Sequence, residues 1–255
     1  MIHDKIIVQV YEIQTPEEAE ICAEIGVHHI GSVVLSEQSW KDPDLRDTLR
    51  TVASTPSKSS LIPLFSTPDP VYRVIEYYRP DIIHFCEMLP SGENGKETRN
   101  TLLELQRNVK QRFPGVEIMR SIPIPPAGAG KGFPVIELAR EFQEVSDFFL
   151  TDTLIVGNQG ADDRDQPVNG FVGITGRVCD WDIAAELVAA VPVPVILAGG
   201  LSPENVAEGI RRVRPAGVDS CTATNAVDES GKPVRFRKDI EKVRSFYRNA
   251  AGVEM

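Results

Sequence analysis

Short apolar runs alternate with longer amphipathic stretches along the chain. Residues 5–10 are rich in β-branched side chains and predict a strand. Thr15-Pro16-Glu17-Glu18 then reads as a helix entry. Thr supplies a cap, Pro fits the first helical position and the acids suit the positive helix end. Ala19, Ile21, Cys22 and Ile25 follow at near-helical spacing, and Gly26 ends the element. The same alternation predicts strands over 29–35, 60–65, 81–86, 116–122, 147–151, 193–197 and 217–222. Helices are predicted over 43–52, 69–78, 97–112, 134–143, 181–190, 203–213 and 236–247.

Strict strand–helix alternation implies parallel strands joined by crossover helices. Eight such units in 255 residues predict a closed (β/α)8 TIM barrel, one domain over residues 1–255. Functional residues are then expected at the carboxyl ends of the strands. The connection over 153–170 is longer than the usual strand–helix loop and carries Gly157, Gly160 and Gly170, so it is expected to act as a lid.

Two glycine-rich turns fall at such strand ends. Gly199-Gly200 follows an apolar strand and precedes a predicted helix start at Ser202-Pro203-Glu204. Glycines let a backbone approach a ligand, and a helix start offers N–H groups to an anion. Gly173-Ile174-Thr175-Gly176 is a second candidate nest on the preceding loop, and Thr222-Ala223 adds a hydroxyl and a small residue. Gly173, Thr175, Gly176, Gly199, Gly200, Thr222 and Ala223 are therefore the candidate phosphate-binding residues. Asp152 is a carboxylate at the end of the sixth strand, where burial would raise its pKa toward that of a useful general acid.

Composition narrows the partners. Hydrophobic residues make up 42% and charged residues 25%, with a formal net charge of −10. That is a globular composition, large enough for a core without disulfide staples. The acidic balance argues against nucleic acid or an anionic membrane surface as a partner. It says nothing against a small phosphorylated metabolite held by backbone N–H groups. Cys22, Cys86, Cys179 and Cys221 lie far apart, and there is neither a leader-like N-terminus nor a spanning apolar run. A reduced, cytoplasmic protein is expected, a monomer or homodimer. No cluster has zinc spacing, so neither a metal nor a cofactor is expected. Asp162-Asp163-Arg164-Asp165 reads as a solvated turn, and Gly128-Ala-Gly-Lys-Gly132 as a loop that departs from the nucleotide-binding pattern, with Lys131 a possible phosphate neighbour.

Taken together these segments resemble the phosphoribosylanthranilate isomerase family. The family's Gly-Gly-Thr-Gly followed by Phe-Asp-Trp is similar to Gly173-Ile-Thr-Gly-Arg-Val-Cys-Asp-Trp181, and its Leu-Ala-Gly-Gly-Leu-x-Pro-x-Asn-Val is matched throughout by residues 197–206. Val218-Asp219 falls where the family's last strand has Val-Asp, and Lys238-Asp239 resembles its Lys-Asp before the final helix. The resemblance implies a barrel enzyme of tryptophan biosynthesis that converts an aminoaldose phosphate to an aminoketose phosphate. It implies an Asp acid ending strand 6, which carries over to Asp152, and a Cys base ending strand 1, which does not.

The family's Lys-Ile-Cys-Gly aligns with Gln9-Val10-Tyr11-Glu12, and its Arg after strand 2 has no counterpart near Ser39-Trp40-Lys41. Glu12 is the first candidate to replace the base and His84 the second. Glu87 is also chemically suitable, Tyr11 is a poor base at neutral pH because an ordinary phenol ionises at about pH 10, and Cys86 reads as a buried thiol. Two other outcomes stay open. The same barrel suits an aldolase, epimerase or lyase acting on another phosphorylated metabolite, or a non-catalytic protein that binds one.

Overall fold

The computed structural model describes residues 6–129, 132–157, 160–161 and 168–254. In chain order the elements are β1 (Ile7–Val10), α1 (Pro16–Ile25), β2 (His29–Val34), α2 (Pro43–Ala53), β3 (Lys58–Pro63), α3 (Pro68–Tyr78), β4 (Ile82–Phe85), α4 (Lys96–Arg112), β5 (Glu117–Ile124) and α5 (Val135–Phe142). They continue with β6 (Phe148–Thr153), β7 (Val156–Gly157), β8 (Gly160–Ala161), α6 (Trp181–Ala190), β9 (Val195–Leu197), α7 (Val206–Val213), β10 (Gly217–Ser220), β11 (Asn225–Val227), β12 (Pro233–Lys238) and α8 (Ile240–Ala251).

Eight strands close in the order β1-β10-β9-β6-β5-β4-β3-β2, and every pairing in the ring is parallel. The (β/α)8 barrel expected from the alternation is therefore the observed one. Helix entries follow local chemistry. The side chains of Thr15, Asp42, Asp180 and Asp239 each accept a backbone N–H from the first turn that follows them. Side chains alternate between two environments along each strand. Those pointing outward, such as Val8, Phe149, Leu197 and Val218, pack against the helices. Those pointing inward include Tyr11, Ile82, Met119, Leu150, Ile196 and Ala198, a separate apolar cluster that plugs the barrel.

Several boundaries differ from the sequence-based expectation. β6 runs to Thr153, so Asp152 lies inside the strand, in register with Pro123. The last helix spans Ile240–Ala251 instead of 236–247. Residues Pro233–Lys238 alternate between exposed and half-buried and pair antiparallel with Asn225–Val227, and Asp239 caps the helix behind them. α7 starts at Val206, not 203. Asn205 Oδ1 accepts the Ser202 N–H at 2.8 Å and Ser202 Oγ accepts the Glu204 N–H at 3.2 Å. These donors, expected to be offered to an anion, are taken up by the turn's own side chains. The connection after β6 contains the small β7–β8 hairpin. Its acidic turn at 162–165 and Lys131 lie outside the described residues, and so does much of the expected lid. Among the described residues no helix is long and apolar enough to cross a membrane. All four cysteines are free.

Candidate active site

Residues at the carboxyl ends of β1, β2, β3, β4, β6, β9 and β10 converge on one region. Two cavities open there, and Asp152, Ile174, Asp219 and Cys221 line both. The first cavity continues over apolar groups, among them Val33, Ile62, Leu64, Leu150 and Phe171. The second is a cup walled by Thr175, Gly176, Gly199, Gly200, Thr222 and Ala223. Six of the seven phosphate candidates thus meet on one surface, although they come from three separate loops. The seventh, Gly173, lines the first cavity and lies against Asp152. With φ at +105°, its Cβ would stand 2.5 and 2.6 Å from the two carboxyl oxygens of Asp152, so only glycine leaves room for that side chain.

The Asp152 carboxyl is held well above the ordinary carboxylate range. Loss of water inside the barrel is the main cause, the charge of Asp219 adds to it, and a hydrogen bond from Ser121 partly offsets it. Asp219 is pushed up to about 7 by burial, against the pull of a Gln9 hydrogen bond and of Lys238. Its Oδ1 is buried without a hydrogen-bond partner. An orphaned carboxyl oxygen is costly to hold inside a protein. In sequence Asp219 stands out only as part of the Val218-Asp219 pair. The signal that marks it is parity: Asp219 is in register with Gln9 on β1, one strand over, while Val218 points out into the helix layer.

The two candidate bases sit in less suitable surroundings. Glu12 lies beyond β1 with φ at +66° and is buried. Its Oε1 accepts from Arg235 Nε at 2.6 Å and its Oε2 from Asn225 Nδ2 at 3.0 Å. Burial alone raises its pKa, but the Asn225 bond and the charges of Arg235 and Lys238 outweigh it, and the net shift is downward. A carboxylate so satisfied is a weak proton acceptor. His84 is buried inside the barrel and pushed down to about 3, first by burial and then by the Arg120 charge. Both of its ring nitrogens are within hydrogen-bonding distance of hydroxyls, Tyr11 at 2.7 Å and Ser121 at 2.9 Å.

Tyr11 occupies the position aligned with the expected cysteine. Its ring stands where a Cβ of residue 31 would be, so Gly31 is what admits it. Its phenol is raised well above the ordinary value, chiefly by burial. Glu87 is tied by its Oε2 to the fully buried Arg120 at 2.5 Å and serves as a strut between the ends of β4 and β5. The Cys86 thiol is raised by burial and then by Glu87. No group of three or more His, Cys, Asp or Glu side chains placed to hold a metal occurs among the described residues.

Comparison with known proteins gives a consistent picture. The sequence model of the family described as N-(5'phosphoribosyl)anthranilate (PRA) isomerase matches residues 116–249. An N-(5'-phosphoribosyl)anthranilate isomerase of Methanocella arvoryzae is 31% identical over 242 residues, covering 90% of this chain and 94% of the relative. One from Methanosarcina mazei is 30% identical, covering 91% of this chain and 89% of its own. Among solved structures, the phosphoribosyl anthranilate isomerase of Thermotoga maritima matches with a TM-score of 0.68 at 20% identity, over 97% of this chain and all of that one. A phosphoribosyl anthranilate isomerase in complex with reduced 1-(o-carboxyphenylamino)-1-deoxyribulose 5-phosphate matches with a TM-score of 0.67 at 19% identity, over the same shares.

Proposed function

The chain belongs to the N-(5'-phosphoribosyl)anthranilate isomerase family, and from that premise we propose that it isomerises a phosphorylated aminoaldose to the corresponding aminoketose at the seam between the two cavities. The observation that carries the reading is the pair of carboxyls at that seam, Asp152 and Asp219, both raised and both lining both cavities. The glycine-walled cup suits the phosphate and the apolar cavity suits an aromatic substituent on the amine. Such a substituent is what the ligand of the 19%-identical complex carries.

In this reading Asp152 is the acid. It gives its proton to the ring oxygen as the carbon–oxygen bond breaks and the nitrogen lone pair forms the iminium. Asp219 is the base in place of the absent cysteine. Its carboxylate takes the proton from the adjacent carbon, and the electrons of that bond form the enolamine, which tautomerises to the ketone. One proton has then moved from Asp152 to substrate and one from substrate to Asp219. Transfer between the two carboxyls restores the starting state. Two nearby carboxyls that share one proton meet both needs at neutral pH, because the environment separates their affinities. The four free cysteines accord with a cytoplasmic setting.

The test is turnover of N-(5'-phosphoribosyl)anthranilate by purified protein, with the product identified by mass and NMR. Turnover that disappears in Asp152→Asn and Asp219→Asn, while binding of the product phosphate persists, supports the reading. Soluble, folded protein that turns over no phosphorylated aminoaldose sinks it.

A further inference from the structure

Four hydrogen bonds run across the barrel interior in an unbroken line that ends on Asp152. Ser60 Oγ and the Tyr11 hydroxyl lie 2.5 Å apart, and that hydroxyl is 2.7 Å from His84 Nδ1. His84 Nε2 is 2.9 Å from Ser121 Oγ, which is 3.3 Å from Asp152 Oδ2. The five residues come from β3, the end of β1, β4, β5 and β6, and the four before Asp152 are buried.

Satisfying every buried donor sets the direction of the line. Tyr11 is the only partner that Ser60 Oγ has among the described residues, so the Ser60 proton must be given to Tyr11 or be left unpaired. The Tyr11 proton then goes to His84 Nδ1. A neutral imidazole that accepts at Nδ1 carries its proton on Nε2 and donates it to Ser121. Burial keeps the ring neutral across the physiological range. Ser121 is left to donate to Asp152 Oδ2.

We infer that this one-way line makes Asp152 Oδ2 a permanent hydrogen-bond acceptor and so places the transferable proton of Asp152 on Oδ1. The inference rests on the reading of Asp152 as the general acid. A carboxyl has two oxygens, and an acid that protonates a substrate must present the correct one. The line makes that choice before substrate arrives. Tyr11 and His84 are then positioning residues that act through Ser121. His84 is not the base, because its only lone pair is already engaged. The far end of the line, Ser60, is fully buried, so the line orients Asp152 and does not feed it protons from solvent.

The His84 tautomer tests this directly in the full-length protein without substrate. Nitrogen-15 NMR, with His84 assigned by its loss in His84→Asn, is expected to show a proton on Nε2 and a bare Nδ1 from pH 5 to 8. Tyr11→Phe removes the donor to Nδ1 and is expected to give a mixture of tautomers, with kcat lowered about tenfold and KM within about twofold. Ser121→Ala is expected to lower kcat similarly while leaving the tautomer as it is, and Ser121→Thr to restore the rate. A proton on Nδ1 in the native protein overturns the inference. So does a Tyr11→Phe protein whose tautomer and kcat are both unchanged. If Tyr11→Phe fails to fold, the native tautomer and the Ser121 pair decide. The tautomer reading needs no substrate, so a chain that turns over no aminosugar phosphate would refute the proposed function without touching this result.

Discussion

Arg235 Nε donates to Glu12 Oε1 at 2.6 Å, joining the hairpin after the eighth barrel strand to the residue just beyond the first. The pair is asymmetric, because the Glu12 side chain is 1% exposed and that of Arg235 39%. Removing Arg235 strips a buried carboxylate of its hydrogen-bonded cation and leaves the Asn225 bond and the charge of Lys238. Since the arginine is partly solvated, Arg235→Ala is expected to cost about 1–2 kcal/mol in urea unfolding at pH 7, less than a fully buried pair would. The folded pKa of Glu12 lies below its ordinary value of 4.5. Its stabilisation is therefore present above that value and lost as pH falls through the folded pKa. The gap between native protein and variant should close on acidification below about pH 4.5. A gap that stays constant to pH 3 would show that the ion pair contributes nothing.

Asp219 carries the opposite sign. Its raised pKa means that the folded state binds a proton the unfolded chain has lost. The stability it contributes is full below the unfolded value of about 3.8 and declines as pH rises toward about 7. At about 1.4 kcal/mol per unit, the ceiling on that loss is about 4 kcal/mol. Asp219→Asn should therefore be inactive yet more resistant to urea than the native protein at pH 8, with the advantage shrinking toward pH 4. Equal loss of stability at both pH values would argue that Asp219 is held by contacts and not destabilised by its burial.

The same pair sets the pH dependence of turnover. In the proposed mechanism the active form has Asp152 protonated and Asp219 ionised. The rate should rise as pH climbs through the first macroscopic ionisation, near 7, and fall at the second, giving a bell that belongs to the pair. Asp152→Asn is expected to lower kcat by about 10²–10⁴ while product binding changes little. A flat profile from pH 5 to 9 would remove both carboxyls from the chemistry.

Gly173→Ala puts a methyl group onto the Asp152 carboxyl at a backbone angle that L-residues disfavour. It is expected to cost about 1–3 kcal/mol and to displace the acid, lowering kcat at least tenfold. Gly115, with nothing within 4 Å of its missing Cβ and an ordinary φ, is the matched control, and alanine there should change neither quantity. If both variants behaved alike, the close approach at Gly173 would be of no consequence.

The cup makes a charge prediction. Ala223→Asp places a carboxylate among Gly176, Gly199, Gly200 and Thr222, where it would repel a phosphate. KM for the phosphorylated substrate should rise at least tenfold with kcat much less affected, and thermal protection by inorganic phosphate should vanish. An unchanged KM would move the phosphate elsewhere.

How much of this was legible in the chain depends on the range of the signal. The barrel followed from local periodicity, while the cup residues stand out by glycine pattern: Gly199-Gly200 comes just after β9, and Gly176 lies far along the connection after β6. The final helix starts later than the periodicity suggests because Pro233–Lys238 is the second strand of a local hairpin, paired with Asn225–Val227 across the turn at residues 228–232. Glu12 is the first candidate base in sequence because it lies nearest to the absent cysteine. Its neutralisation by Arg235 involves a residue more than two hundred positions away, and no periodicity records that. Asp219 is hard to single out in sequence for the converse reason. Its chemistry lies in what it lacks, a partner for Oδ1, and a missing partner has no sequence signature.

The Glu12 clasp also bears on how the chain comes off the ribosome. Glu12 is made more than two hundred residues before Asn225, Arg235 and Lys238, which make its burial tolerable. β1 likewise finds β10 only after the other barrel strands have been made. Until then the nascent first strand has one neighbour, β2, and a charged residue with nothing to satisfy it indoors. Its least costly setting until those residues emerge is water, which disfavours early burial of that end of β1.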